Sequence, residues 1–264
     1  MTDAAPSLRL LIGELRVARD WARARAAPRS IPNRHGAATT DSGDAAGRTI
    51  VGNGAPVITL PGFCAGDLSM ARMRANLNAA GFRASGWQLG PNLGARADTL
   101  DRIDARVRSV AAREGRPVHL VGWSLGGVFA REYAHRHPDF VASVVTMGSP
   151  FSGSPRGNNA WRLYRLVAGH SVDNPPITRH IGAKPPVPTY ALWSAIDGVV
   201  APACAMGAEH ERDRAIELDC GHMGFAFVPT AIDVVAACVM EAEALRGAIK
   251  SGRGAKKSWR GAGN

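Results

Sequence analysis

Ser124 stands between two glycines in the run Gly122-Trp123-Ser124-Leu125-Gly126, and that spacing could make it a nucleophile. A tight turn from a strand into a helix forces its central residue into strained backbone angles and pushes the side chain clear of the sheet edge. The residues two positions away must then be small, which Gly122 and Gly126 satisfy. The first turn of the helix adds free N–H groups and a positive dipole end, both suited to a developing oxyanion. The alternative use of such a serine is as a helix N-cap. A serine hydroxyl is a poor nucleophile at neutral pH and needs a base. Eight histidines are available. His119 falls inside the apolar run before the serine, His135 and His137 at the end of the helix after it, His170 and His180 in a long insertion, His35 in a linker, and His210 in a polar loop. His222 differs, because it sits between glycines in "CGHMG", directly after an expected strand. That is the sheet edge where doubly wound folds build sites.

The elements that must position these residues follow from periodicity. "PVITL" (56–60), "ASGWQLG" (84–90), "PVHLVGW" (117–123), "VASVVTMGS" (141–149), "TYALWSAID" (189–197) and "AIELDCG" (215–221) read as strands. Helices are expected over 67–81, 96–115, 125–137 and 229–249, with glycine or proline stops. Strands alternating with helices imply a mostly parallel, doubly wound α/β sheet, and the continuous apolar runs suit strands buried on both faces. Before this core, residues 7–27 carry a near-helical apolar stripe (Leu8, Leu11, Ile12, Leu15, Val17, Ala18, Trp21), and residues 28–47 read as a linker. The expected organisation is an N-terminal helix and linker over 1–47, a core domain over 48–249, and a disordered basic tail over 250–264. The helix is expected to pack on its own domain, ahead of docking on a partner or a membrane surface.

The strand-to-helix setting of "GWSLGG" supplies the context its motif requires. Here the chain resembles the α/β-hydrolase family, and within it the lipase- and esterase-like branch. The resemblance covers roughly residues 50–245 and rests on "LPGF", "GWSLGG", "MGSPFSGS", "WSAIDGVV" and "CGHMGF", in that order. It implies a triad running serine, acid, histidine along the chain. Asp197, after a strand and between Ser124 and His222, is the expected acid, fixing the imidazole tautomer. Asp219 is the main rival and is expected on the strand itself, while Asp197 could instead simply form a turn before Gly198. Oxyanion donors are expected at the backbone of Leu125 and at Phe63, with Cys64 as second choice, in a "PGF" loop where Pro61 replaces the family's common histidine. Gly62 would let backbone approach substrate.

About forty residues (150–187) separate two strands, long enough for a lid or cap. "MGSPFSGSP" resembles a segment of bacterial lipases, with Phe151 at the histidine position. "AWRLYRLVAG" (160–169) could lay an amphipathic helix over the site. Gly62, Trp123, Phe151 and Trp161 are the candidate substrate-binding residues, and the substrate is expected to be a small-molecule ester with an apolar moiety. The expected function is ester hydrolysis through an acyl-enzyme on Ser124. Acyl transfer, or amide, lactone or thioester hydrolysis on the same triad, are the alternatives, as is a catalytically silent ligand-binding homologue. No metal or organic cofactor is needed.

The formal net charge of +10 raises the question of nucleic acid. Six basic residues lie between Arg246 and the end, with no Asp or Glu after Glu243, and the segment up to Arg48 is also arginine-rich. Charge gathered at the ends suits solubility and weak peripheral contact with anionic membranes better than a specific nucleic-acid site. Four cysteines without a C-x-x-C pair suggest free thiols, with a single disulfide left open. There is neither a signal-peptide pattern nor an apolar run of spanning length, so a soluble, cytoplasmic protein is expected; its oligomeric state is left open.

Overall fold

The computed structural model describes residues 5–7, 9–14, 52–153 and 183–258. Six strands form one sheet: β1 Pro56–Leu60, β2 Arg83–Gly86, β3 Val118–Trp123, β4 Val141–Met147, β5 Thr189–Trp193 and β6 Arg214–Glu217. Their order is β2-β1-β3-β4-β5-β6, and every neighbouring pair is parallel. The helices that flank the sheet among the described residues are α1 Ala71–Ala79, α2 Thr99–Glu114, α3 Leu125–Arg136, α4 Pro202–Met206 and α5 Pro229–Ser258.

The central strands are buried along their whole length, as their unbroken apolar character demands. Side chains alternate between the two faces of β3. Val118 and Leu120 pack with Ile103 and Val107 of α2 and Phe129 and Tyr133 of α3. Val121 and Trp123 pack with Met73 and Leu77 of α1 and Val235 and Val239 of α5. Each large apolar side chain so enclosed contributes roughly 1.5–3 kcal/mol, and the two layers clamp the sheet edge at which β3 hands over to α3.

Several element ends differ from the sequence reading, each for a local reason. β2 stops at Gly86 because the Asp67 carboxylate takes the N–H groups of Trp87 and Gln88, at 3.0 and 3.1 Å, and turns the chain out of the ladder. β5 stops at Trp193, before the loop that carries Asp197. β6 ends at Glu217, so Asp219 is not on the strand; it lies exposed in the following loop. The short helix α4 was not expected; Pro202 opens it, where a missing N–H costs nothing, and Gly207 at φ 67° ends it. α5 continues to Ser258 rather than stopping near 249, since no proline follows Pro229.

All four cysteines are free thiols, as expected, with Cys64 exposed and the others buried. Among the described residues no helix is long and apolar enough to cross a membrane. Of the expected N-terminal helix, residues 9–14 are described and are helical. Most of the expected lid, including Trp161, lies outside the described residues, as do the linker and the last six residues.

Candidate active site

The turn between β3 and α3 is as tight as the glycine spacing demands. Ser124 adopts φ 54°, ψ −123°, a conformation that costs a non-glycine residue of order 1–3 kcal/mol. It is held there because its N–H donates to the Met147 carbonyl at 2.8 Å and its carbonyl accepts the Gly127 N–H at 3.0 Å. A side chain on Gly126 would drive a Cβ into the Leu60 carbonyl and within 2.7 Å of the Pro61 oxygen, and one on Gly122 would strike the backbone of Gly127. Gly62 passes directly beside the serine: a Cβ there would lie 3.2 Å from Ser124 Cβ and 3.2 Å from the Trp123 ring.

His222 and Asp197 meet at this edge. The His222 Nδ1 to Asp197 Oδ2 distance is 2.8 Å, with both residues buried. The second carboxylate oxygen, Oδ1, accepts the N–H groups of Val199 and Val200 at 2.8 and 2.9 Å. Asp197 therefore forms a turn and pairs with the imidazole at once. The Trp123 indole Nε1–H donates to the His222 carbonyl at 3.0 Å, which ties the residue next to Ser124 to the histidine loop. The hydroxyl of Ser124 makes no hydrogen bond to His222 here, a gap common in sites without substrate. Burial pushes the imidazole pKa down, but the carboxylates of Asp197 and Glu14 outweigh it and hold it above its ordinary value.

The other strand histidine is spent on packing. His119 is fully buried in β3, with Nδ1 2.8 Å from Ser143 Oγ and Nε2 3.0 Å from Glu243 Oε1. Burial, then Arg246 and Arg116, push it down to about 3. It is neutral at working pH, and its contact with Glu243 is a hydrogen bond rather than an ion pair. His210 is exposed in a loop turn.

Of the two expected oxyanion donors, Phe63 lies in the loop after β1 and Leu125 at the turn after β3. Leu125 is the first residue of α3, so no carbonyl one turn back claims its N–H. The Cys64 N–H is taken: it donates to the Asn92 carbonyl at 2.7 Å, which removes the second choice. Asn92 is the residue the sequence reading missed. It is buried, its N–H donates to Ala65 O at 2.8 Å, and its Nδ2 donates to Pro61 O at 2.8 Å, so it grips the 61–65 loop from both ends. Gly148 was missed too; at φ 53°, a Cβ there would come 2.9 Å from Asp197 Oδ2 and 3.1 Å from His222 Nδ1. Its signal was the glycine directly after the β4 run.

Of the expected substrate-binding residues, Gly62 and Trp123 lie beside Ser124. Phe151 is buried, its ring under the Arg131 guanidinium at 4.0 Å and against Gly207, so its surface is engaged in packing.

A single parallel sheet with this strained strand-to-helix turn, and a histidine–aspartate pair beyond later strands, defines an α/β-hydrolase fold. A family model described as alpha/beta hydrolase fold matches residues 94–172, a segment that spans α2, β3, α3 and β4. Similar solved structures include LipS and LipT, two metagenome-derived lipolytic enzymes (TM-score 0.54, 17% identity, 72% of this chain and 95% of that one). Polyneuridine aldehyde esterase is similar at TM-score 0.50 and 13% identity over 72% of this chain and 99% of that one. The monoacylglycerol lipase of Paleococcus ferrophilus gives TM-score 0.50 and 15% identity over 72% and 96%. Among curated proteins, pimeloyl-[acyl-carrier protein] methyl ester esterase of Chromobacterium violaceum is 42% identical over 59 residues. That match spans 22% of this chain and 22% of the relative's length.

Proposed function

We propose that this protein hydrolyses carboxylic esters through an acyl-enzyme on Ser124. One observation carries the reading: a buried imidazole, paired through Nδ1 with a buried carboxylate, at the sheet edge where a serine is held in strained geometry. With Nδ1–H directed to Asp197, Nε2 is left to accept the serine proton. Ser124 Oγ attacks the acyl carbon, and the carbonyl oxygen becomes an oxyanion held by the N–H groups of Leu125 and Phe63. His222 then delivers the proton to the leaving alcohol. Water, deprotonated by His222, attacks the acyl-enzyme and restores the serine. Asp197 orients the imidazole and stabilises the imidazolium. The short match to a methyl ester esterase is in keeping with an ester substrate, and the apolar side chains of the 150–187 insertion point to an apolar acyl or alcohol group.

A fluorophosphonate probe tests the nucleophile. Stoichiometric labelling that is abolished by Ser124→Ala is expected, and labelling that survives the substitution overturns the reading. A chain-length series of p-nitrophenyl esters then reads the acyl preference. A labelled enzyme that cleaves none of them would place acyl transfer, or amide, lactone or thioester hydrolysis, ahead of ester hydrolysis.

A further inference from the structure

Glu14 lies far from the triad in sequence and next to it in space. It is buried, at 5% exposure, although it belongs to a short helical stretch whose Ile12 is exposed. Its carboxylate contacts no cation among the described residues. It accepts three backbone N–H groups from the two loops that carry Asp197 and His222. Oε1 accepts from Gly198, the residue after Asp197, at 3.2 Å, and from His222 itself. Oε2 accepts from Met223 at 3.1 Å.

Two glycines make room for this arrangement. A Cβ on Gly198 would lie 2.5 Å from the Leu10 carbonyl carbon and 2.8 Å from Glu14 Cγ. A Cβ on Gly221 would lie 2.6 Å from Glu14 Oε1. The residue after the acid and the residue before the histidine are thus bare where the N-terminal segment enters. A buried carboxylate is costly unless its oxygens are satisfied, and three N–H donors converging on one are charge-assisted bonds of about twice ordinary strength. Without Glu14, those buried donors would be left unpaired.

We propose that Glu14 is a positioning residue of the active site: its carboxylate clips the Asp197 loop to the His222 loop and fixes the imidazole against its acid. The inference rests on the triad reading above. Beyond holding the loops, the clip adds negative charge beside the histidine backbone and favours the imidazolium that forms during attack. The charged groups that face the imidazole are Asp197 and Glu14. Cys220, in the same loop, has its thiol pushed up to about 12 by burial and then by Asp197, Glu14 and Asp219, so it stays neutral.

The test uses the full chain with Glu14→Gln, which keeps the shape and removes the charge, and Glu14→Asp, which keeps the charge and withdraws it. The first readout is the His222 imidazole titration by NMR, assigned by its loss in His222→Gln. Glu14→Gln should lower that pKa and move the acid limb of kcat/KM to lower pH by the same amount. The second readout is turnover. A drop in kcat of about ten- to hundredfold with KM nearly unchanged is expected for both variants, since loss of alignment at the reacting atoms acts on the chemical step. If either variant has a lower Tm but an unchanged His222 titration, acid limb and kcat, Glu14 is only a structural tie and the proposal is overturned. If the wild type itself fails to label at Ser124, the triad reading fails, and the His222 titration still decides whether Glu14 bears on the imidazole.

Discussion

At Ser124 the chain tolerates a backbone conformation that other residues avoid, and the contacts around it show how. A strand carbonyl and a helix N–H pin the turn, and glycines on either side remove every Cβ that would collide with it. Strain of this kind holds the hydroxyl in place before substrate arrives. Asp197 sits in an equally fixed frame, one oxygen on the turn it forms and the other on His222. Asp197→Asn should leave the fold intact and lower kcat by about 10³–10⁴-fold, because the amide favours the wrong imidazole tautomer; single-turnover acylation rates measure it. The free-enzyme pH profile follows from the raised imidazole. The proposed mechanism requires neutral His222, so kcat/KM should fall as pH drops through a pKa above 6.5, and a limb centred below 6.5 would contradict the arrangement. The meeting of Asp197 with His222 at the edge that carries Ser124 was legible because each of the three follows a recognisable strand and has a glycine within two residues. Glu14 was not, because its partners are backbone N–H groups 184 to 209 residues away, which no side-chain pattern announces. Among the described residues of that segment, Glu14 is buried while Ile12 of the apolar stripe is exposed.

Among the elements, the strands and main helices were legible from apolar runs and glycine stops, and their order implied the parallel sheet. The ends of elements were less so, because side chains from elsewhere set them. Asp67 cuts β2 short by capturing two N–H groups that an extended strand would have given to the ladder or to solvent. The 61–65 loop shows the same logic at the site. Its shape depends on Asn92, which no motif contains and which grips both Pro61 and Ala65. Asn92→Ala should cost about 1–3 kcal/mol by leaving a buried carbonyl without a donor. It should also slow fluorophosphonate labelling; equilibrium denaturation and labelling kinetics together check both effects. At the other side of the turn, Gly126→Ala should destabilise by at least about 1–3 kcal/mol, since the new methyl meets strand backbone rather than a side chain that can move away. An unchanged denaturation midpoint would refute that.

Across the whole molecule, the sheet also carries a buried polar chain outside the proposed triad. His119 on β3 links Ser143 on β4 to Glu243 on α5, with Arg116 and Arg246 close by. The folded protein holds this histidine neutral, with its pKa pushed down to about 3, whereas the unfolded chain binds a proton near 6.5. The unfolded state therefore takes up protons first, and stability present above pH 6.5 is lost as pH falls toward 3. His119→Gln should flatten the fall in stability between pH 6.5 and 4.5, read as denaturation midpoints at each pH; an equally steep fall would show that other groups govern it. The clip at Glu14 also bears on how the molecule is made. Its farthest acceptor contact, to Met223, spans 209 residues. On a ribosome adding roughly 5–20 residues per second, Glu14 emerges about 10–40 s before that partner exists. A nascent chain can thus complete β1 to β5 and the serine turn while the early helix waits undocked, and the site closes only when the last loop arrives to meet it.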